Sequence, residues 1–161
     1  MNLEVFKTLV SQISGFAYTI LLHFQGEPMM SPNILQFISY ATSKRLITEI
    51  ATNATLINET NAVLLLKSGL KKIVVSLDSP DLYTSGSYRK GERQGAATSG
   101  INAIVNAKKK VGSNYPIVVL ELLMFKNNVD KIATFKQNAN LMGADVIRLK
   151  TVQVVSGIDP K

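Results

Sequence analysis

Cysteine and tryptophan are both absent from this 161-residue chain, and histidine occurs once. Without thiols the chain can form no disulfide and supplies no thiolate to a metal. A net charge of +7 would suit an anionic partner. No stripe of interleaved basic and aromatic residues accompanies it, however, so no nucleic-acid partner is expected. The one dense basic run, Lys108-Lys109-Lys110, follows a helical pattern. Lysines there complement a helix C-terminus, and a solvated helix end is expected. No apolar run approaches the roughly 20 residues that cross a membrane. The opening MNLEVFKTLVSQIS carries Glu4 and Lys7 within an amphipathic pattern, unlike a signal peptide. A cytoplasmic protein without a membrane partner is the expectation.

What remains is globular in composition, with 46% hydrophobic and 18% charged residues. The length suits one domain at roughly 100–200 residues each. Leu3, Phe6, Leu9, Val10 and Ile13 recur at helical spacing. Ala17–Phe24 is a short apolar run that reads as a strand. Ser31-Pro32 offers a cap and a first-turn proline for a helix carrying Ile34, Leu35, Phe37, Ile38 and Ala41. Strands are expected at Leu46–Thr52, Lys72–Leu77, Pro116–Phe125 and Ala144–Val155. Helices are expected from Asn58 to Lys67, through Ile101–Ala107, and over Asp130–Met142.

Strands alternating with helices imply right-handed crossovers and a parallel sheet. Polar residues gather just after each strand: Gly26-Glu27-Pro28, Thr52-Asn53, Ser76-Leu77-Asp78 and Lys126-Asn127-Asn128. In a (β/α) barrel these ends form the active-site rim, and in an open doubly wound sheet they flank a crevice. Five strands are too few for a closed eight-stranded barrel. Because the chain opens on a helix, the expectation is a partial (β/α)6 TIM-like barrel, open, with its first strand missing.

The rim suits a small zwitterion. Glu27 and neighbouring carbonyls can accept from an ammonium group, and Gly26 permits close backbone approach. Pro28 biases Glu27 toward an extended conformation. Arg89 offers a fork for a carboxylate, and Ser76 and Asp78 share a strand face. Each has a plainer reading: Gly-Glu-Pro as a turn, Asn53 as a turn residue, Ser76-Leu77-Asp78 as a strand end with an Asx turn, Arg89 as a solvated cation. His23 is either a satisfied core histidine or a ligand.

In the order QGEP, ATNATLINE, SGLKKIVVSLDSPDLYTSGSYRKG, GINAI, VLELLMFKNN and MGADVIRLKT, the chain resembles radical S-adenosylmethionine enzymes over essentially its whole length. The likeness is greatest to the branch with a SPASM-type domain. The resemblance implies that Gly26, Glu27 and Pro28 hold the amino group of S-adenosylmethionine, with Gln25 replacing the motif's first glycine. It also implies that Ser76 lies near the carboxylate or ribose and that Arg89 pairs with the carboxylate. Asn53, Asp78 and Phe125–Asn127 would line the same rim, with Leu149 and Lys150 ending the strand near the adenosine. It implies a [4Fe-4S] cluster on a CxxxCxxC loop and a peptide, protein or other substrate. That loop is absent, so the residues here supply no metal ligand and no catalytic group, and the chain is expected to be an internal piece of a parent enzyme, inactive alone. A non-catalytic remnant that binds S-adenosylmethionine or a protein partner is the alternative. An aldolase- or isomerase-like enzyme using Lys126 or Lys150 would need an acid/base pair that the rim does not offer.

Overall fold

The computed structural model describes residues 1–77, 95–126 and 128–151. Among them, β1 (Thr19–Leu21), β2 (Ile47–Thr52), β3 (Lys72–Leu77), β4 (Ile117–Met124) and β5 (Val146–Thr151) form one parallel sheet. The strands pair in the order in which they occur along the chain. A doubly wound sheet reverses its order at a switch point, whereas an unreversed order of right-handed crossovers places the helices on one face. The expected open α/β sheet of barrel type is what is found.

The helices are α1 (Leu3–Ile13), α2 (Ile34–Ser43), α3 (Glu59–Lys67), α4 (Ala96–Val111) and α5 (Ile132–Leu141). One face of the sheet buries Ile50, Ile73, Val75, Val118, Leu120 and Leu122 against Ile38, Leu65, Ile101, Ile104 and Phe135 of α2 to α5. Each such side chain contributes about 1.5–3 kcal/mol on burial. A smaller cluster fixes α1, where Phe6 stacks on Phe37 of α2 with ring centroids 4.3 Å apart.

Local details differ from expectation at the start of α2 and at the end of α4, and β1 is shorter than the apolar run Ala17–Phe24. Ser31-Pro32 does not cap α2. The capping carboxylate is Glu27, which accepts from the Met29 N–H, and Pro28 opens a single 3-10 turn. Proline suits that first position because it has no N–H to leave unbonded. Nor is the whole lysine run solvated: Lys108 is buried and its Nζ donates to Asp145 at 2.5 Å, while Lys109 and Lys110 stay exposed. Asp145 also accepts from the Val118 N–H, so one carboxylate locks α4 to the start of β5 and to β4.

The turn after β2 comes close to α4. Ala54 has φ 61, and a Cβ built on Gly100 would lie 2.1 Å from the Ala54 carbonyl oxygen. Glycine at 100 is what lets α4 sit against the strand end. Among the described residues no helix is long and apolar enough to cross a membrane.

Candidate functional site

Side chains alternate across each strand, so the face turned away from the helices carries Glu49 and Ala51 of β2, Val74 and Ser76 of β3, Glu121 of β4, and Arg148 and Lys150 of β5. These line a cavity of about 620 Å³, together with Gly26 and Glu27 at the end of the β1 loop. The cavity therefore opens where the sequence pattern concentrates its polar residues.

Glu27 organises one end. Its Oε1 accepts from the Thr52 hydroxyl at 2.6 Å and from the Met29 N–H at 3.1 Å, and its Oε2 accepts from the Asn53 N–H at 2.9 Å. Thr52 Oγ1 in turn accepts from the buried Ala54 N–H. The β1 loop and the end of β2 are thus one hydrogen-bonded unit. All three donors to Glu27 are neutral, and no cation among the described residues pairs with it. Asn53 Oδ1 accepts from the backbone and hydroxyl of Thr55, which makes Asn53 the turn residue that the plainer reading described while its amide N–H also serves Glu27. Gly26 has φ +79 and open space where a Cβ would stand.

The opposite end is charged differently. Ser76 aligns with Glu121, and Glu121 with Arg148, so the three form a row across β3, β4 and β5. Glu121, with only 9% of its side chain exposed, accepts from Arg148 at 3.2 Å and lies 3.9 Å from Lys150. Deeper in the sheet, Glu49 pairs with Lys72 at 2.9 Å. His23 also lines the cavity instead of the helix-covered core, and its buried Nδ1 has no partner among the described residues.

The structure brings Gly26, Glu27, Asn53 and Ser76 to one cavity, with Pro28 in the adjoining turn. Asp78, Arg89 and Asn127 lie outside the described residues. Asn128, which follows Asn127 in the sequence, is buried, and its side chain accepts from the Phe125 N–H and donates to the Leu123 carbonyl. Sequence reasoning missed Thr52 as the partner of Glu27, and it missed Glu121 and Arg148. A signal for Glu121 existed: a carboxylate inside the apolar run PIVVLELLMF must face something polar. Among the described residues no group of three or more His, Asp or Glu side chains could hold a metal.

No protein-family model matches the chain. An AdoMet-dependent heme synthase of Nitratidesulfovibrio vulgaris is 30% identical over 83 residues, which is 52% of this chain and 23% of that protein. A PqqA peptide cyclase of Granulibacter bethesdensis is 26% identical over 133 residues, covering 82% of this chain and 34% of the cyclase. The chain therefore spans only a quarter to a third of these relatives' length. Among solved structures, Streptococcus suis SuiB bound to S-adenosylmethionine superposes with a TM-score of 0.69 at 20% identity, over 96% of this chain and 34% of SuiB. SuiB has also been solved bound to its precursor peptide SuiA. These relatives are radical S-adenosylmethionine enzymes, and the chain is similar to them in sequence and in fold.

Proposed function

We propose, from this similarity to radical S-adenosylmethionine enzymes, that the chain is a core domain that binds S-adenosylmethionine in the cavity beside Glu27. The observation that carries the reading is that Glu27 is held by three neutral donors and by no cation among the described residues. Its negative charge therefore remains available to the ammonium and sulfonium groups of the ligand. An ionised carboxylate offers about four lone-pair sites, three of them filled here. Glu27 then attracts by charge and positions the turn. Most direct contacts to the ammonium come from the Gln25 and Gly26 carbonyls, which accept from no backbone N–H among the described residues. Gly26 allows that approach because no side chain intervenes. Ser76 and the side-chain amide of Asn53 serve the ribose. Asp78, Arg89 and Asn127 keep the roles that the resemblance implies, with Arg89 on the carboxylate.

A [4Fe-4S] cluster in such enzymes supplies the electron that cleaves S-adenosylmethionine to a 5′-deoxyadenosyl radical. Clusters need thiolates, and these residues contain none, so the cluster does not fit this chain's own donors. Radical chemistry on a peptide or other substrate, a SPASM-type domain and a cytoplasmic location are proposed for the whole protein. The second reading is that these residues bind S-adenosylmethionine without taking part in radical chemistry.

Calorimetric titration with S-adenosylmethionine tests the proposal. Saturable binding is expected, at least tenfold weaker in Glu27→Gln, because the glutamine amide would confront the Asn53 N–H with a second donor. Absence of binding, or equal affinity for both proteins, would overturn it.

A further inference from the structure

The charges lining the cavity are unevenly matched. Glu49 has one cation, Lys72, whereas Glu121 is shared by two, Arg148 and Lys150. Glu27 has none among the described residues. Among the described residues the cavity lining is therefore negative at the β1–β2 end and carries a surplus cation at the β5 end. Arg148 engages Glu121 through Nη1 alone, leaving most of its planar donor fork toward the cavity, and Lys150 beside it is more than half exposed. The row from Ser76 through Glu121 to Arg148 places a hydroxyl on the same face.

We infer that Arg148 and Lys150 form a subsite for a carboxylate of the substrate, with Glu121 as the positioning residue that holds the guanidinium. This rests on the reading that S-adenosylmethionine occupies the Glu27 end. Neighbouring strands lie about 4.8 Å apart, so β2 and β5 are separated by about 14 Å around the sheet. The ammonium and carboxylate of S-adenosylmethionine share one α-carbon. A ligand whose ammonium sits at the Glu27 turn has its carboxylate one carbon away, on the β1–β2 side of the cavity, with β3 and β4 between it and β5. The surplus cation is left for a second molecule. A guanidinium fork matches a planar carboxylate with two parallel hydrogen bonds, and Arg148 already holds one carboxylate, that of Glu121.

The test uses the isotope-labelled chain, with succinate as the probe and the backbone amide resonance of Glu121, beside Arg148 in the sheet, as the readout. Succinate is expected to shift that resonance saturably, at least fivefold more weakly in Lys150→Gln and tenfold more weakly in Arg148→Lys, which keeps charge but loses the fork. Lys150 is exposed enough that its variant tests the idea even if Arg148 variants fold poorly. S-adenosylmethionine is expected to bind with unchanged affinity in the presence of succinate. Non-saturating shifts, or equal succinate affinity in the Lys150→Gln protein, would overturn the subsite. Displacement of S-adenosylmethionine by succinate would overturn it too, by showing that these cations serve the cofactor's own carboxylate. Stronger binding of inorganic phosphate than of succinate would overturn the choice of carboxylate. If succinate binds as expected and S-adenosylmethionine does not bind at all, the anion site stands and the cofactor reading fails.

Discussion

Glu27 and Thr52, 25 residues apart in sequence, are joined by a 2.6 Å hydrogen bond from the threonine hydroxyl to Oε1. The bond connects the loop after β1 to the last residue of β2 and sets the shape of the cavity's negative end. Thr52 is almost fully buried, and its hydroxyl both donates to Glu27 and accepts from the Ala54 N–H.

Thr52→Val keeps the side chain's shape and removes both bonds. An unmade buried hydrogen bond costs about 1–3 kcal/mol. Urea unfolding should therefore show a loss of about 2 kcal/mol, and the affinity for S-adenosylmethionine should fall alongside it. Unchanged stability would mean that the Glu27–Thr52 contact contributes nothing.

Gly100→Ala should be among the most destabilising small substitutions in the chain. The new Cβ meets a main-chain oxygen at 2.1 Å, and neither α4 nor the Ala54 turn can shift without disturbing the strand end. Overpacking of this kind typically costs about 1–3 kcal/mol, and the upper part of that range is expected because the obstacle is backbone. Gly15→Ala is the control, since nothing lies within 4 Å of its Cβ. It should be neutral or stabilising by about 0.5 kcal/mol, through a less flexible unfolded chain. Similar melting temperatures for the two variants would contradict the close approach of α4 to Ala54.

The Lys108–Asp145 pair should respond asymmetrically. Asp145→Ala leaves a buried ammonium without its one partner among the described residues, whereas Lys108→Met leaves a carboxylate that is one-third exposed and still bonded to the Val118 N–H. Stranding a buried charge costs about 3–5 kcal/mol, so the aspartate variant should lose roughly that much and the lysine variant clearly less. Chemical denaturation of both proteins checks the order, and the reverse order would show that Lys108 reaches water.

Much of this was legible in the residues. Lys72–Leu77 is a strand at its expected limits, because its apolar run is bounded by Gly69 and a polar segment. Asn58 caps α3 with a reciprocal bond pair to Asn61, as a short polar residue before an apolar run suggests. The apolar run 17–24 is longer than the strand it contains: Thr19–Leu21 pairs with β2, and Phe24 beyond it is almost fully exposed. Apolar character alone does not reveal that β1, among the described residues, pairs with β2 alone. Glu121 could have been placed opposite Leu120 and Leu122 by strand alternation. Its meeting with Arg148 depended on register between strands, which no local pattern contains. The sequence marks Glu27 as a candidate acceptor, whereas its bonds to Thr52 and Asn53 join distant segments and leave no local trace.

The most direct test of the central claim is amide shift mapping during titration with S-adenosylmethionine. The expected result is a set of shifts at Gly26, Glu27, Thr52, Asn53 and Ser76 that saturate together with one dissociation constant, while the exposed face of α2 stays unperturbed. Shifts confined to the helix surfaces, or none at these five residues at saturating ligand, would contradict the assignment of this cavity as the S-adenosylmethionine site.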